Sequence, residues 1–210
     1  SISSKENNEA SFIDKSNIKN FAGRHNLSAK SLKNIIRDIK DLNVIILGDL
    51  IVDEYVECSD VGMSRENPSL VVTPISDMRF VGGAGIVAMH AASLGAKVEF
   101  ITSVGESPAT SYAQQELSKY DIKTELIHAF GHETVIKRKY FLNGNALLRV
   151  NKFPKSYPGN DYEESIIKKI EDKIAKADAI ILADFNYGTL SKNLVKKIIK
   201  IARQNNVFVS

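Results

Sequence analysis

Cysteine, long apolar runs and charge of one sign are all scarce in this sequence, and each scarcity excludes a class of protein. Cys58 is the single cysteine, which excludes a disulfide framework and a thiolate metal site and is typical of a reducing compartment. No apolar run approaches the ~20 residues that cross a membrane, and the polar start SISSKENNEAS lacks the pattern of a signal peptide. We therefore expect a cytoplasmic protein without a membrane partner, and we predict no metal ligands in this chain.

The composition is typical of an ordinary globular protein. Hydrophobic residues make up 43% of the chain and charged residues 25%. The formal net charge is +3, and the lysines are spread through helical stretches instead of being gathered in one arm. This distribution argues against a nucleic-acid partner and is compatible with a small anionic ligand.

Short apolar strands alternate with amphipathic helices along most of the chain. Residues 1–27 are rich in Ser, Asn and Lys, and we interpret them as a linker or the tail of a preceding domain. Continuous apolar runs such as Val44–Leu47 are typical of strands that are buried on both faces. Residues 28–210 are therefore predicted to form an α/β fold with a doubly wound, mainly parallel sheet. Because the chain stops within a strand, we expect this domain to be incomplete at its C-terminus.

Two further segments do not fit the parallel sheet and predict a small antiparallel β flap at its edge. They lie at about 53–75 and 123–152. The dipeptide Asn143-Gly144 separates TVIKRKYFL from NALLRVN, which is the strongest hairpin signal in the sequence. We predict that this hairpin pairs with extended segments near 53–58 and 70–75.

The stretch FVGGAGIVAMHAASLGA, residues 80–96, opens a predicted helix with three glycines in four residues. From Gly83 onward it fits the G-x-G-x-x-G/A dinucleotide fingerprint. The preceding segment Ser76–Phe80, however, is polar and broken, whereas that fingerprint needs a buried strand. A second hypothesis is that the pair Gly82-Gly83 lies against a sugar, and a third is that small residues let a helix pack closely. The glycine pattern alone leaves all three open.

Two carboxylates strengthen the sugar hypothesis. Asp49 and Asp53, in GDLIVDEY, follow the buried strand Val44–Leu47. The carboxyl ends of parallel strands form the crevice in which open α/β sheets bind ligands, and carboxylates can accept hydrogen bonds from neighbouring sugar hydroxyls. An aspartate after a strand is also a common turn or cap residue. It is the combination with the glycine pair that favours a ligand.

The ordered series GDLIVDEY, GMSRENPSLVVTP and FVGGAGIVAMHAASLGAKVEFITSVG resembles the N-terminal half of ribokinase-like sugar kinases, the phosphofructokinase-B family. The resemblance continues through TVIKRKYF, LLRVN and ADFNYGTL and covers residues from about 43 to 210. Within the family, the sequence is most similar to the heptose 7-phosphate kinase domain of bifunctional ADP-heptose synthases. The resemblance implies ATP- and Mg²⁺-dependent phosphotransfer to a sugar or a sugar phosphate such as a heptose phosphate. It also implies a homodimer formed through the flap.

The resemblance assigns sugar-binding positions to the two motifs discussed above. Asp53 matches the family's sugar-hydroxyl aspartate, with Asp49 beside it. Gly82 and Gly83 match the pair whose backbone lies against the sugar. These four residues are therefore expected to bind the substrate.

Basic residues of the hairpin match positions that are suited to a sugar phosphate. Lys137 would act as a point charge and Arg149 as a bidentate fork. The alternative is a solvated hairpin face, which we prefer for Arg138 and Lys139. Asp184 matches an aspartate at the end of a central strand, near the point where the substrates meet.

Three positions depart from the family pattern. Ile86 and His90 stand where the family has asparagines, and Tyr187 stands where its D-Y-x-K-G motif has a basic residue. An apolar Ile86 cannot make the hydrogen bonds of an amide. We therefore expect a subfamily with an altered substrate.

The family's G-A-G-D motif, which contains the catalytic aspartate, does not occur in this sequence. The resemblance puts that motif and most of the nucleotide site beyond Ser210, so we expect this chain to be the sugar-binding half of a longer enzyme and inactive alone. The competing hypothesis is a non-catalytic sugar-binding or assembly module. Residues 1–27 also resemble the junction that follows a nucleotidyltransferase domain in bifunctional relatives.

Overall fold

The computed structural model describes residues 15–128, 131–155 and 157–210. Its helices are α1 (Lys15–Arg24), α2 (Ala29–Ile39), α3 (Ala84–Ser93), α4 (Pro108–Leu117), α5 (Asn160–Ile174) and α6 (Lys192–Gln204). Its strands are β1 (Asn43–Gly48), β2 (Leu50–Met63), β3 (Leu70–Gly83), β4 (Lys97–Val104), β5 (Ile122–His128), β6 (Val135–Leu142), β7 (Asn145–Lys152), β8 (Ala179–Ala183) and β9 (Phe208–Val209). The chain divides into two compact units, one ending at Ile39 and the other spanning Lys40–Ser210.

The first unit contains α1 and α2. Ser28 caps α2 as predicted, because its Oγ accepts the backbone N–H of Ser31 at 3.0 Å. α1 lies within the segment 1–27 that we interpreted as a linker, so part of that segment is helical; its residues 1–14 lie outside the described residues. The division after Ile39 also comes later than the predicted boundary, since α2 groups with the residues before it.

The second unit is built on a parallel sheet with strand order β5-β4-β1-β8-β9. Its central strand β1 is a continuous apolar run in which Ile46 and Leu47 are fully buried, because helices cover both faces of the sheet. α5 and α6 pack on one face, where Ile166 and Ile198 join Leu47 in the core. α3 contacts β1 and β4 and covers the other face. The predicted doubly wound, mainly parallel sheet is confirmed.

The second sheet, which we call the flap, has strand order β3-β2-β6-β7. β2 pairs antiparallel with β3, and β6 pairs antiparallel with β7, but β2 and β6 run parallel. Two of its three strand pairs are therefore antiparallel, as predicted, but the flap as a whole is a mixed sheet. The reason is topological: β2 follows β1 and β6 follows β5, and these two strands of the main sheet already run in the same direction.

The flap also differs from its predicted bounds. β5 falls in the range 123–152 but pairs with β4 in the main sheet, since it continues the alternation of strand and helix after α4. β3 extends to Gly83, so Ser76–Phe80 is a strand and not the broken segment we predicted. Its residues are exposed, and pairing with β2 holds them extended. Gly82 and Gly83 thus end an antiparallel strand whose preceding residues are exposed, which does not meet the requirement of a dinucleotide site.

The turn between β6 and β7 is the predicted one. Asn143 and Gly144 have φ angles of 52° and 75°, which is the pair of positive angles that a two-residue hairpin turn of type I′ requires. This turn sets the register in which β7 returns alongside β6. It thereby determines which residues of β7 lie opposite which residues of β6.

Candidate functional site

Three segments meet at the carboxyl edge of the main sheet, where the flap leaves it. Asp49 is the single residue between β1 and β2, Gly83 ends β3 directly before α3, and residues 184–191 connect β8 to α6. We call this last segment the β8–α6 loop. The carboxyl edge of an open α/β sheet is where such folds bind ligands. The base of the flap, the start of α3 and the β8–α6 loop therefore frame the candidate site.

Asp49 holds the backbone of the site together. Its carboxylate is only 1% exposed and accepts the backbone N–H groups of Phe185 at 2.8 Å, Tyr187 at 3.1 Å and Thr189 at 3.0 Å. Its carbonyl oxygen accepts the N–H of Ala84 at 2.8 Å. With both carboxylate oxygens engaged by the loop, Asp49 is not available to sugar hydroxyls. We therefore correct its predicted role from substrate binding to fixing the β8–α6 loop.

Two of the three glycines before α3 are explained by contacts within the chain. Gly83 has φ 58° and ψ −137°, and a Cβ atom there would overlap the carbonyl oxygen of Asp49. A Cβ at Gly85 would lie 2.5 Å from Cγ1 of Val81. These positions require glycine because the start of α3 packs directly on the flap base. The packing hypothesis thus accounts for Gly83 and Gly85, and Gly83 is not needed as a sugar contact.

Gly82 differs, because the group beside it is a functional one. A Cβ atom at Gly82 would lie 2.6 Å from Oδ2 of Asp53. Asp53 is half-buried on β2. It pairs with Phe80, which lies two residues before Gly82 on β3. The bare backbone of Gly82 thus makes room for the Asp53 carboxylate at the base of the flap. These two predicted sugar-binding residues lie together.

Lys137 lies beside Asp53. The two residues are opposite each other in the parallel pair of β6 and β2, so their side chains leave the same face of the flap. The Nζ atom of Lys137 lies 5.1 Å from the centroid of the Tyr187 ring, and this ring stacks on Phe153 with centroids 5.1 Å apart. A carboxylate, a bare backbone and an ammonium group are therefore adjacent at the junction of the flap and the β8–α6 loop.

Arg149 and Asp184 lie further from this group. Arg149 is exposed on β7 opposite Lys139, whereas the position opposite Lys137 is Asn151. Asp184 is exposed at the end of β8, and its Oδ1 accepts the backbone N–H of Asn186 at 2.7 Å. Arg149 is on the same face of the flap as Lys137 but nearer the hairpin turn, so it borders the group without being part of it.

Arg138 and Lys139 have partners within the flap, where we had expected a solvated face. Arg138 Nε donates to Oε2 of Glu54 at 2.5 Å, and Glu54 is only 4% exposed and also pairs with Arg79 at 3.1 Å. The hydrogen bond to Glu54 raises the pKa of Arg138. Lys139 Nζ lies 4.7 Å from the centroid of the Tyr55 ring. Both side chains stabilise the flap.

A buried hydroxyl network behind the site was not found by sequence reasoning. Ser103 Oγ lies 2.9 Å from Nε2 of His132 and 2.7 Å from Oγ1 of Thr189. The backbone N–H of Thr189 in turn binds Asp49. The network joins β4, the segment before β6 and the β8–α6 loop. No local pattern could have indicated it, because the members are 29 and 86 residues apart.

The positions that depart from the family pattern also lie around the site. Ile86 is in the first turn of α3 and half-buried, and His90 is exposed one turn further. Tyr187 is the residue whose ring contacts Lys137. Two of the three departures are therefore at the candidate site.

The described residues do not provide a cluster of metal ligands. Within 15–128, 131–155 and 157–210, no three His, Cys, Asp or Glu side chains are grouped so that they could hold a metal ion. A resident Mg²⁺ ion takes clustered oxygen ligands, so this donor set does not fit one. Over the same ranges, no helix has the length and apolar character needed to cross a membrane.

Curated proteins with similar sequences are longer than this chain. The bifunctional protein HldE of Aliarcobacter butzleri is 30% identical over 171 residues, and that of Histophilus somni is 32% identical over 164 residues. The alignments cover 81% and 78% of this chain but 36% and 34% of the two relatives. The chain thus spans about a third of the length of these relatives.

Solved structures share the fold at low sequence identity. A carbohydrate kinase from Agrobacterium tumefaciens matches with a TM-score of 0.56 and 15% identity. Arabidopsis thaliana ribokinase, solved with ribose and ATP, matches with a TM-score of 0.55 and 13% identity. Each match covers about four fifths of this chain, 80% and 81%, and 52% of the solved chain.

The family model for pfkB carbohydrate kinases matches residues 43–210. This range contains both sheets of the second unit and all the residues of the candidate site. The chain therefore belongs to the pfkB family of carbohydrate kinases.

Proposed function

We propose that residues 43–210 form the sugar-binding half of an ATP-dependent kinase that phosphorylates a hydroxyl group of a phosphorylated sugar. The observation that carries this proposal is the grouping of Asp53, Gly82 and Lys137 at the base of the flap. A sugar phosphate needs acceptors for its hydroxyl groups and a cation for its phosphate, and this group offers both. The resemblance of the sequence to heptose 7-phosphate kinases makes a heptose phosphate the proposed substrate.

Each residue of the group has a separate role in this proposal. Asp53 accepts hydrogen bonds from sugar hydroxyls, and the bare backbone of Gly82 lets the sugar approach that carboxylate. Lys137 supplies a positive charge for the phosphate, and Arg149 approaches it from the exposed part of the same face. Asp184 stands at the end of β8, on the side where the acceptor hydroxyl would meet the phosphoryl donor.

The donor side of the reaction is proposed to come from the rest of the protein. Phosphoryl transfer depends mainly on positioning and on stabilising charge at the transferred group. The described residues offer the acceptor side, and we propose that ATP, Mg²⁺ and the catalytic aspartate are brought by sequence outside this chain. The greater length of the HldE relatives supports this division.

The test is a substitution of Asp53 in the full-length protein. Asp53→Ala should lower kcat/KM for a heptose phosphate by about 10- to 100-fold, because each hydroxyl left without its acceptor costs ~1–3 kcal/mol. Glu57→Ala is the matched control, since Glu57 is half-exposed on the same strand and the same face, further from the main sheet. Unchanged efficiency for Asp53→Ala would remove Asp53 from the site.

One observation favours a second candidate function, a non-catalytic sugar-binding or assembly module. Ile86 puts a half-buried apolar side chain where the family pattern has an asparagine. Both functions allow sugar phosphate binding, so binding cannot separate them. Transfer of phosphate from ATP by the full-length protein can: a protein that binds a heptose phosphate yet transfers nothing to it supports the module.

We also propose that the partner of the flap is a second copy of this chain. The flap exposes large apolar side chains: Leu148 and Val150 on the face opposite to Lys137, and Val61, Met63 and Ile75 toward the end of the flap that is distant from the main sheet. Exposed apolar surface of this kind is typical of interaction sites. A second copy is a suitable occupant because a two-fold axis brings the same patch of both subunits together.

A further inference from the structure

Lys137 is held at the candidate site by an aromatic ring. Its Nζ lies 5.1 Å from the centroid of Tyr187, and the Tyr187 ring stacks on Phe153 with planes 11° from parallel. Lys137 lies on β6, and Phe153 directly follows β7. Tyr187 lies in the β8–α6 loop. The ring is thus a direct contact between the flap and the edge of the main sheet.

Tyr187 is anchored from the main sheet. Its backbone N–H donates to Oδ2 of Asp49 at 3.1 Å. The same carboxylate oxygen accepts the N–H of Phe185, and the other oxygen accepts the N–H of Thr189. Because Asp49 is buried at the end of β1, the backbone of Tyr187 is fixed from the main sheet, while its ring rests on Phe153.

An aromatic partner leaves the charge of a lysine intact. The ring attracts the ammonium group through its quadrupole, whereas a carboxylate at the same place would neutralise it. Asp53 is opposite Lys137 in register, yet the ion pairs of the described residues do not include one between these two side chains. The Lys137 ammonium is therefore held by the ring without an ion pair to Asp53.

We infer that Tyr187 is a positioning residue: its ring holds the Lys137 ammonium toward the phosphate group of the substrate and so makes the site selective for phosphorylated over unphosphorylated sugars. This inference rests on the proposed function, in which Lys137 binds that phosphate. It gives a role to a position at which the chain departs from the family pattern. We therefore expect Tyr187 to contribute to the binding of the phosphorylated sugar and not to that of the unphosphorylated one.

The flap contains a matched pair for comparison. Lys139 Nζ lies 4.7 Å from the centroid of Tyr55 and also hydrogen bonds to its hydroxyl group at 3.1 Å. Both members of this pair are on flap strands, two residues further from the main sheet than Lys137 and Asp53. Removal of the Tyr55 ring therefore tests loss of a lysine–tyrosine contact that does not join the flap to the β8–α6 loop.

The experiment compares Tyr187→Leu, Tyr187→Phe and Lys137→Met in the full-length protein, with Tyr55→Leu as the control. The substrates are heptose 7-phosphate and the same heptose without phosphate. We expect Tyr187→Leu to raise KM for the phosphorylated sugar by about 3- to 30-fold, the range of a partly desolvated cation–π contact, with kcat within about twofold. Tyr187→Phe, which keeps the ring, should restore KM to near the wild-type value.

Two further results are expected from the same series. KM for the unphosphorylated heptose should be the same in Tyr187→Leu and wild type. In the Lys137→Met background, Tyr187→Leu should have no additional effect on KM for the phosphorylated sugar, because the ring acts through the ammonium group. An additive effect in the double variant, or equal KM increases for both substrates, would overturn the inference.

Binding of inorganic phosphate, followed by NMR of labelled lysine side chains, separates this inference from the proposed function. The Lys137 Hε signals should be shifted upfield by the ring in wild type and Tyr187→Phe but not in Tyr187→Leu, which should also bind phosphate more weakly. If Lys137→Met loses phosphate binding and Tyr187→Leu does not, the positioning role is wrong while the role of Lys137 stands. If Lys137→Met binds phosphate as wild type does, the role of Lys137 fails and the inference fails with it.

Discussion

A Cβ atom at Gly83 would overlap the carbonyl oxygen of Asp49, whereas a Cβ atom at Gly82 would come within 3 Å only of Oδ2 of Asp53, at 2.6 Å. The first neighbour is backbone and cannot move without displacing the start of α3. The second is the far end of a side chain, which can rotate away. At the scale of single residues, two adjacent glycines therefore differ: Gly83 allows the start of α3 to pack against Asp49, and Gly82 leaves room for the Asp53 carboxylate.

Substitution of the two glycines by alanine should separate stability from binding. Gly83→Ala should lower the free energy of unfolding by more than ~1–3 kcal/mol, which is the cost of the backbone conformation alone, because the overlap with Asp49 adds to it. Gly82→Ala should change it by less than about 1 kcal/mol but raise KM for the sugar phosphate by displacing the Asp53 carboxylate. Urea unfolding followed by circular dichroism, with KM measured on the same samples, checks this. Equal destabilisation by both substitutions would contradict it.

At the scale of elements, Glu163 joins α5 to the start of α6. It is 3% exposed and accepts hydrogen bonds from Tyr157 Oη at 2.8 Å, Asn193 Nδ2 at 2.9 Å and Lys197 Nζ at 3.4 Å, and from Ser191 Oγ. Ser191 is also the N-cap of α6, since its Oγ accepts the N–H of Leu194. One buried carboxylate thus fixes both the end of the β8–α6 loop and the helix that follows it.

The pH dependence of the free energy of unfolding should show the contribution of the Glu163 carboxylate. Burial by itself would raise the pKa of Glu163, but the hydrogen bonds from Ser191, Tyr157, Asn193 and Lys197 prevail and lower it from 4.5. A folded-state pKa below the unfolded value means that the stabilisation is fully present above about pH 4.5 and is lost as the pH falls through the lowered pKa. Glu163→Gln should therefore cost about 1–3 kcal/mol at pH 7 and reduce the loss of stability on acidification.

The control for this prediction is Glu171→Gln, on the exposed side of α5. It should leave the free energy of unfolding within about 0.5 kcal/mol of wild type. The measurement is urea unfolding of each variant between pH 3 and pH 7. If Glu163→Gln and wild type lose stability in parallel below pH 4.5, the carboxylate is not responsible.

At the scale of the whole molecule, the two sheets of the second unit differ in how they are covered. The main sheet is packed by helices on both faces, and its strands β1 and β4 are almost fully buried. β7 in the flap is exposed at every residue, and Ile75 on β3 is 66% exposed. The main sheet is stabilised by its own helices, whereas the flap depends on strand pairing and on any partner that covers it.

A homodimer formed through the flap should be sensitive to charge on its apolar surface. Ile75→Asp combined with Leu148→Asp should convert the full-length dimer to a monomer, because both side chains are more than half exposed, 66% and 55%, and would be buried by a second copy. Leu94→Asp, at an apolar residue outside the flap that is 46% exposed, should remain dimeric. Sedimentation velocity at micromolar concentration gives the masses, and a monomeric wild-type protein would contradict the proposal.

The sequence by itself was sufficient for the main sheet and the hairpin turn. Buried parallel strands consist of continuous apolar runs such as Val44–Leu47, because both of their faces are covered. The turn at Asn143-Gly144 follows from the backbone angles that its two residues tolerate. These features depend on residues that are close together in the sequence, so they can be predicted from the local sequence.

Only the tertiary structure decided what Asp49, Lys137 and Tyr187 contact. The partners of Asp49 lie 136 to 140 residues away. Lys137 is brought beside Asp53 by the pairing of β2 with β6, which the sequence predicted without its parallel direction or its register. An exposed strand such as β3 is held by a neighbouring strand and not by burial, so it carries no apolar periodicity to detect. Residue order determines which faces are apolar, but the pairing of distant strands determines which polar groups meet.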